Sequence, residues 1–284
     1  MADKLVDIPI QDLTSLRDLY REDWPKYNIG YGTVDTYVRW LNKDPNIPHI
    51  RILSLNGDWS DGTFIITDWI SLYANTRSTD FTRLVKALSL VDWSKGYTIA
   101  SIGSRLLDLI YKFVKENNVD VNYIKGTKWF RMPQDEAAKL IVNPPDGITL
   151  RPLTAEDVVT ANALWPFRRP GSLIYLQRLA KYNVSVGAFT SDGELVAWCF
   201  RIPVGSLGTL QVAESHKRKG FGSLIVRAMA KAIGETGYDV FAPVVFDNYP
   251  SLNMFEKLGF KVVDTMNWLP PAKPGNWHDN VPHY

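Results

Sequence analysis

The amino-acid sequence predicts an α/β protein built from two tandem units, each a central mixed β-sheet flanked by helices. Three observations carry this. Strand-like and helix-like segments alternate along the 284 residues. A turn-rich break, Asn143-Pro144-Pro145-Asp146-Gly147, interrupts the periodic segments. The order of signals after the break echoes the order before it. The expected units are therefore residues 1–143 and 144–284, in keeping with domains of about 150 residues.

The first unit opens with a short strand from Leu5 and a helix that starts near Asp12-Leu13-Thr14 and runs to Leu19. A second helical stretch covers Val34 to Leu41. His49 to Leu55 and Thr63 to Ile70 read as strands of a hairpin with Asp61-Gly62 in its turn. An apolar helix preceded by glycine follows at Gly103 to Val114. In the second unit, Ile148 begins a strand. Thr154-Ala155-Glu156-Asp157 then approximates a capping box, in which hydroxyl and carboxylate each accept from the other residue's backbone N–H. That helix reaches Trp165, and another covers Leu173 to Lys181. Val184 to Thr190 and Leu195 to Ile202 flank Asp192-Gly193, and the glycine-led helix is Gly222 to Ile233. Spacing between matched features varies, which fits a duplication with insertions and deletions, not a solenoid.

Composition excludes several function classes. Hydrophobic residues make up 45% and charged residues 22%, as in globular proteins. Lys+Arg 32 against Asp+Glu 30 gives +2, which argues against a dedicated nucleic-acid binder. One cysteine, Cys199, excludes an intrachain disulfide and a thiolate-rich zinc site, and reads as a small buried strand residue. His49, His216, His278 and His283 are dispersed without metal-ligand spacing, so no metal is expected. No segment has the long apolar run of a membrane span, and the start, Met1 to Asp7, lacks the features of a signal or transit peptide. The expected location is the cytoplasm. The tail, Pro270 to Gly275 followed by Trp277-His278, either folds over a site or trails, and its aromatics favour an ordered tail.

The strongest local signal lies in the second unit. Leu207 to Val212 reads as a strand and residues 223–234 as a helix. Between them runs a basic, glycine-containing turn, Ala213-Glu214-Ser215-His216-Lys217-Arg218-Lys219-Gly220-Phe221-Gly222-Ser223. Leu224, Ile225, Ala228, Met229 and Ala232 give the helix an apolar face, with Arg227 and Lys231 on its polar side. Strand, glycine loop and helix N-terminus together suit an anion, because exposed N–H groups and the helix dipole favour negative charge. The spacing is neither a Walker loop nor a dinucleotide fingerprint. Taken alone, such a turn is also a common solvated loop. Tyr238 to Phe246 then reads as a strand, and Asp247 to Phe260 as a short helix ended by Gly259, with a further strand through Val263.

Lys217-x-x-Gly220-x-Gly222 opening a helix, then a strand, then Asn248-x-x-Ser251 leading to Glu256-Lys257-Leu258-Gly259-Phe260, resembles the acyl-CoA-binding core of the GNAT acyltransferase superfamily. The resemblance covers roughly Ile148 to Val263 and implies two tandem GNAT-like units, the first degenerate. The duplicated layout, with Asn276-Trp277 and Val281-Pro282 near the end, is similar to the glycine N-acyltransferase-like group. In the first unit Ile102-Gly103-Ser104 lacks both the basic run and the second glycine, so one cofactor site per chain is expected.

The resemblance implies acetyl-CoA or another acyl-CoA as cosubstrate. Leu210 and Val212 would pair with the pantetheine arm, and Lys217, Arg218, Lys219, Gly220, Phe221, Gly222 and Ser223 would hold the pyrophosphate. Lys217 stands where the family usually has Arg or Gln. Asn248 matches the family's Asn after the fifth strand, and is also a fitting helix cap. The catalytic positions depart from the pattern. The family's Tyr, seven positions after that Asn, is Phe255 here, and the glycine N-acyltransferase-like group's Glu aligns with Ser206. Glu214, His216, Asp247 and Tyr249 are nearby substitutes, and each also fits a surface or capping role. The implied function is transfer of an acyl group from CoA to a small amine or amino acid. The alternative is an acyl-CoA-binding or interaction protein that keeps the fold without catalysis.

Overall fold

The computed structural model describes residues 2–124, 126–273, 275 and 277. Asn276, His278, Val281, Pro282 and His283 lie outside them. The first repeat contains β1 (Leu5–Asp7), α1 (Leu13–Leu19), α2 (Asn28–Lys43), β2 (Ile50–Leu55), β3 (Phe64–Asp68), β4 (Ser71–Asn75), α3 (Thr82–Ser89), β5 (Thr98–Gly103), α4 (Ser104–Glu116) and β6 (Thr127–Met132). A short helix, α5 (Gln134–Ala137), leads on. The second repeat contains β7 (Ile148–Arg151), α6 (Ala155–Ala163), α7 (Ser172–Tyr182), β8 (Ser185–Thr190), β9 (Leu195–Arg201), β10 (Leu207–Val212), α8 (Phe221–Gly234), β11 (Val240–Val245), α9 (Tyr249–Lys257) and β12 (Lys261–Leu269). Both repeats run strand, two helices, three strands, helix, strand, helix, strand.

That order corrects one match made from sequence. The counterpart of α8 is α3, and the counterpart of α4 is α9, so Gly103 to Val114 does not correspond to Gly222 to Ile233. The error has a physical source at the β3–β4 turn. Asp68 pairs with Ser71, leaving the two-residue turn Trp69-Ile70 without glycine. Trp69 itself takes φ +50. Two-residue hairpins normally advertise themselves with Gly or Asn, so Thr63 to Ile70 read as one strand and β4 was hidden.

The repeats exchange their last strands. β6, at the end of the first repeat, pairs antiparallel with β11 of the second, Phe130 opposite Ala242. β12, at the end of the second, pairs antiparallel with β5 of the first, Met266 opposite Gly103. The compact units follow these pairings and not the turn at Asn143 to Gly147. Among the described residues, one holds those of 2–126 and 266–277, and the other holds Thr127–Thr265.

In the first unit, β1 to β4 form antiparallel neighbours and β5 joins β4 in parallel through Ser71–Thr98 and Leu72–Ile99. Leu53, Ile65, Leu84, Leu88, Ile110 and Leu269 are among its buried core. Trp277 sets its ring 5.2 Å from Trp69 and 5.7 Å from Tyr97, which makes the described part of the tail an element of this unit.

In the second unit, β10-β9-β8-β7 is a purely antiparallel sheet. The core gathers Val226, Met229 and Ile233 of α8, Val240 and Ala242 of β11, Phe255 of α9 and Phe130 of β6. The capping box on α6 is formed: Asp157 donates from N to Thr154 Oγ1 at 3.3 Å, and Thr154 donates from N to Asp157 Oδ2 at 2.8 Å. Burial raises the Asp157 carboxyl, but the Arg151 guanidinium at 2.5 Å and the Thr154 bonds outweigh it and hold the group below the usual carboxylate range. No helix among the described residues is long and apolar enough to cross a membrane.

Candidate active site

The candidate site lies where β10 ends and α8 begins. β10 is the edge strand of its sheet. It lies beside β11 with no hydrogen-bonded ladder between them. One edge of β10 therefore keeps its N–H and C=O groups available to an extended ligand. Leu210 and Val212 lie on this strand, partly buried against the core. The β9–β10 register shifts between Gly208 and Gln211, which marks a bulge. Within it Thr209 takes φ +52, a conformation that costs a β-branched residue about 1–3 kcal/mol. Sequence reasoning passed over Thr209, because nothing in a threonine announces a left-handed backbone.

The chain then makes a single 3-10 turn, Glu214–His216, and two left-handed steps, Arg218 at φ +59 and Gly220 at φ +87. Gly220 is the N-cap of α8, and no side chain caps the helix. Among the described residues, the backbone N–H groups of Arg218 to Ser223 donate to no protein acceptor. The first turn of α8 thus presents several N–H groups and its positive dipole end to solvent. A Cβ on Gly220 would meet nothing within 4 Å, so the position needs glycine for its backbone and not for space. A Cβ on Gly222 would touch Met254 Sδ at 3.4 Å and Val212 Cγ2 at 3.9 Å, filling the gap between α8, α9 and β10.

The cations behave unequally. Lys217 Nζ lies 2.6 Å from Glu214 Oε2 in an exposed ion pair. Arg218 and Lys219 have no ion pair among the described residues. His216 sets its ring edge-on to buried Phe221 at 5.3 Å and shares a 2.9 Å contact with Ser215 Oγ. Glu214 and His216 are thus tied to the loop's own residues.

At the end of β11, Asp247, Asn248 and Tyr249 are exposed. Asn248 is the N-cap of α9, its Oδ1 accepting from Ser251 N at 3.3 Å. Phe255 is a core residue, stacked on Phe130 at 5.7 Å and edge-on to Phe260 at 5.1 Å. Ser206 is fully buried, its hydroxyl donating to Leu207 O at 3.2 Å. Neither side chain offers an acid or base to a ligand. Cys199 is buried in β9, and burial pushes its thiol up to about 12, so it supplies no thiolate. Among the described residues no group of three or more His, Cys, Asp or Glu is placed to hold a metal ion.

Comparison with known proteins agrees with this fold. Residues 185–269, spanning β8 to β12, match the FR47-like protein family. An N-alpha-acetyltransferase of Sulfurisphaera tokodaii is 28% identical over 109 residues, 32% of this chain and 65% of that relative. This chain thus spans slightly under two thirds of that relative's length. A Drosophila protein solved by X-ray diffraction superposes with a TM-score of 0.82 at 23% identity, over 96% of this chain and all of that one. A GCN5-related N-acetyltransferase from Sphaerobacter thermophilus gives 0.56 at 11% identity over 97% of each chain. A tandem GNAT protein from the clavulanic acid biosynthesis pathway gives 0.54 at 14% identity, over 97% of this chain and all of that one. The chain has the tandem GNAT fold, and its second repeat carries the FR47-like match.

Proposed function

We propose that this chain is an acyl-CoA-dependent N-acyltransferase that acylates a small amine or amino acid, with one cosubstrate site, in the second unit. The observation that carries the reading is the uncapped N-terminus of α8 behind the left-handed Arg218–Gly220 loop, set at the end of an unpaired strand edge. An extended amide-bearing arm suits the β10 edge at Leu210 and Val212. A pyrophosphate suits the free N–H groups of residues 218–223, with Arg218 and Lys219 adding charge. The glycines leave the room such a group needs. The FR47-like match and the N-alpha-acetyltransferase relative support the reaction class. The glycine N-acyltransferase-like resemblance supports a small acceptor such as an amino acid.

The chemistry is a direct transfer. A neutral amine attacks the thioester carbonyl carbon, the C–N bond forms, the C–S bond breaks and the thiolate leaves with the electron pair. The amine's surplus proton goes to solvent. The bulge at Thr209 turns backbone groups of β10 out of the β9 ladder, where an N–H can polarise the carbonyl. Binding both reactants beside β10 supplies proximity, which is worth several kcal/mol. Glu214, His216, Asp247 and Tyr249 are the candidates to relay that proton to solvent.

A second reading has its own observation. Phe255 and Ser206, at the positions of the GNAT family's Tyr acid and the glycine N-acyltransferase-like group's Glu base, are both buried and supply neither. Without them, transfer forgoes about a hundred- to ten-thousandfold of general acid–base help. This favours an acyl-CoA-binding protein that keeps the fold. Incubation with acetyl-, benzoyl- and longer acyl-CoAs against an amine panel, following free thiol, separates the two. Thiol release that depends on an amine supports transfer. CoA-dependent thermal stabilisation without turnover supports the binding protein. Absence of both rejects the site.

A further inference from the structure

Resting on the acyl-CoA reading above, we infer that Phe246 and Tyr249 form a stacking surface for the adenine ring of CoA. The two side chains flank the turn from β11 into α9 and are 43% and 67% exposed. Neither has a hydrogen bond or ring contact among the described residues. Large aromatic rings gain much of their energy by burial, so two unpartnered rings on one turn lack something to cover them.

Their place along the site identifies the occupant. The Cβ position of Gly222 meets Met254 Sδ at 3.4 Å, so the first turn of α8 abuts α9 at Met254. Tyr249 precedes Met254 by five residues on the same helix, about 7.5 Å along its axis. Both helices start where their preceding strands end, as β10 leads into α8 and β11 into α9. The free N–H groups and the two rings therefore both lie at strand-to-helix turns, linked by the approach of Gly222 to Met254. A pyrophosphate held at residues 218–223 leaves its adenosine one ribose away, within reach of Tyr249. A purine presents a flat π-face that stacks on aromatic side chains. Asn248, between the two rings in sequence, uses Oδ1 for its cap to Ser251 and keeps its amide N–H groups to donate to a ring nitrogen.

This gives Tyr249 a part in CoA binding that its ring carries without its hydroxyl. The test measures binding of CoA and of 4′-phosphopantetheine, which lacks adenosine, to the full chain and to F246A, Y249A and Y249F. Y249A is expected to weaken CoA about tenfold, within the five- to hundredfold range of base stacking, and F246A somewhat less. Y249F is expected to keep CoA affinity, and none of the three to change affinity for 4′-phosphopantetheine. Equal weakening of both ligands, unchanged CoA affinity in Y249A and F246A, or a loss in Y249F as large as in Y249A would each overturn the inference. Failure of the unaltered chain to bind either ligand is a different result, and rejects the acyl-CoA reading together with its adenine site.

Discussion

The β4–α3 junction of the first repeat and the β10–α8 junction of the second occupy the same place in one order of elements, and they are finished differently. In the first, residues 76–81 contain no glycine. The chain satisfies itself there: Ser78 N donates to Thr76 Oγ1 at 3.1 Å, Asp80 N donates to Ser78 Oγ at 3.0 Å, and Asp80 Oδ1 accepts from Thr82 N at 2.9 Å. Arg105 donates to the carbonyls of Thr76 and Ser78 and to Asn75. The strands beside it are joined, β4 pairing with β5. In the second junction the corresponding strands, β10 and β11, do not pair with each other, the helix has no side-chain cap and the backbone is left-handed at Arg218 and Gly220. One junction has consumed its own polar groups, and the other has kept them for something else.

The largest test concerns what each junction stands on. Phe130 belongs to the first repeat by sequence but is fully buried in the core of the second unit, stacked on Phe255. Leu269 closes the second repeat but is fully buried in the core of the first unit. F130A is expected to destabilise by about 3–5 kcal/mol and L269A by about 2–5 kcal/mol. Hydrogen exchange should place the loosening from F130A in residues 127–265 and that from L269A in the first unit. The opposite pattern would refute the strand exchange. F130A should be rescued in part by CoA, because a ligand of the native second unit stabilises it.

Next is the backbone itself. Gly220 sits at φ +87 with open space around its Cβ, so G220V strains the loop without crowding the core. CoA affinity is expected to fall about a hundredfold as the loop leaves its left-handed geometry, with little change in Tm. Calorimetry beside a thermal melt checks both. Unchanged affinity would show that the second junction is as self-contained as the first.

The two junctions were not equally legible. Lys217, Gly220 and Gly222 spell out the second, since glycine and clustered charge are sequence-level marks of a backbone anion site. The first reads from sequence as Ile102 to Ser104, one strand–helix unit too late, because the Trp69-Ile70 turn lacks a glycine and conceals β4. Elements with strong local chemistry, such as the Thr154–Asp157 capping box and the Asp192-Gly193 hairpin, were readable. The strand exchange was not, because pairing β6 with β11 is decided by long-range packing around Phe130 that no local pattern records. Thr209 escaped for a related reason: its strain comes from the bulge and not from its own preference.

A smaller effect follows from the unequal cations. Lys217 is already engaged by Glu214, whereas Arg218 and Lys219 have no ion pair among the described residues. Replacing Arg218 and Lys219 together by Gln should weaken CoA about tenfold at low salt and flatten the salt dependence of its binding, because surface charge is screened over about 10 Å at 0.1 M. K217Q alone should do less. Equal losses from Lys217 and from the Arg218–Lys219 pair would mean that the ion pair to Glu214 opens when the ligand arrives.

The smallest effect lies in the first junction, where no ligand is involved. The Asp80 carboxyl is held below its ordinary value of 3.8 by the hydroxyl and then the N–H of Thr82. A group depressed in the folded state stabilises above its unfolded value, and loses that contribution as pH falls through the folded one. D80A should therefore lower Tm slightly at pH 7, and the deficit should shrink as pH drops below about 4. Asp80 is fully exposed to solvent screening, so the deficit stays small. CoA affinity should not move at any pH at which both forms are folded. A change in CoA binding in D80A would mean that the first junction still takes part in ligand recognition, and that the contrast between the two repeats is one of degree.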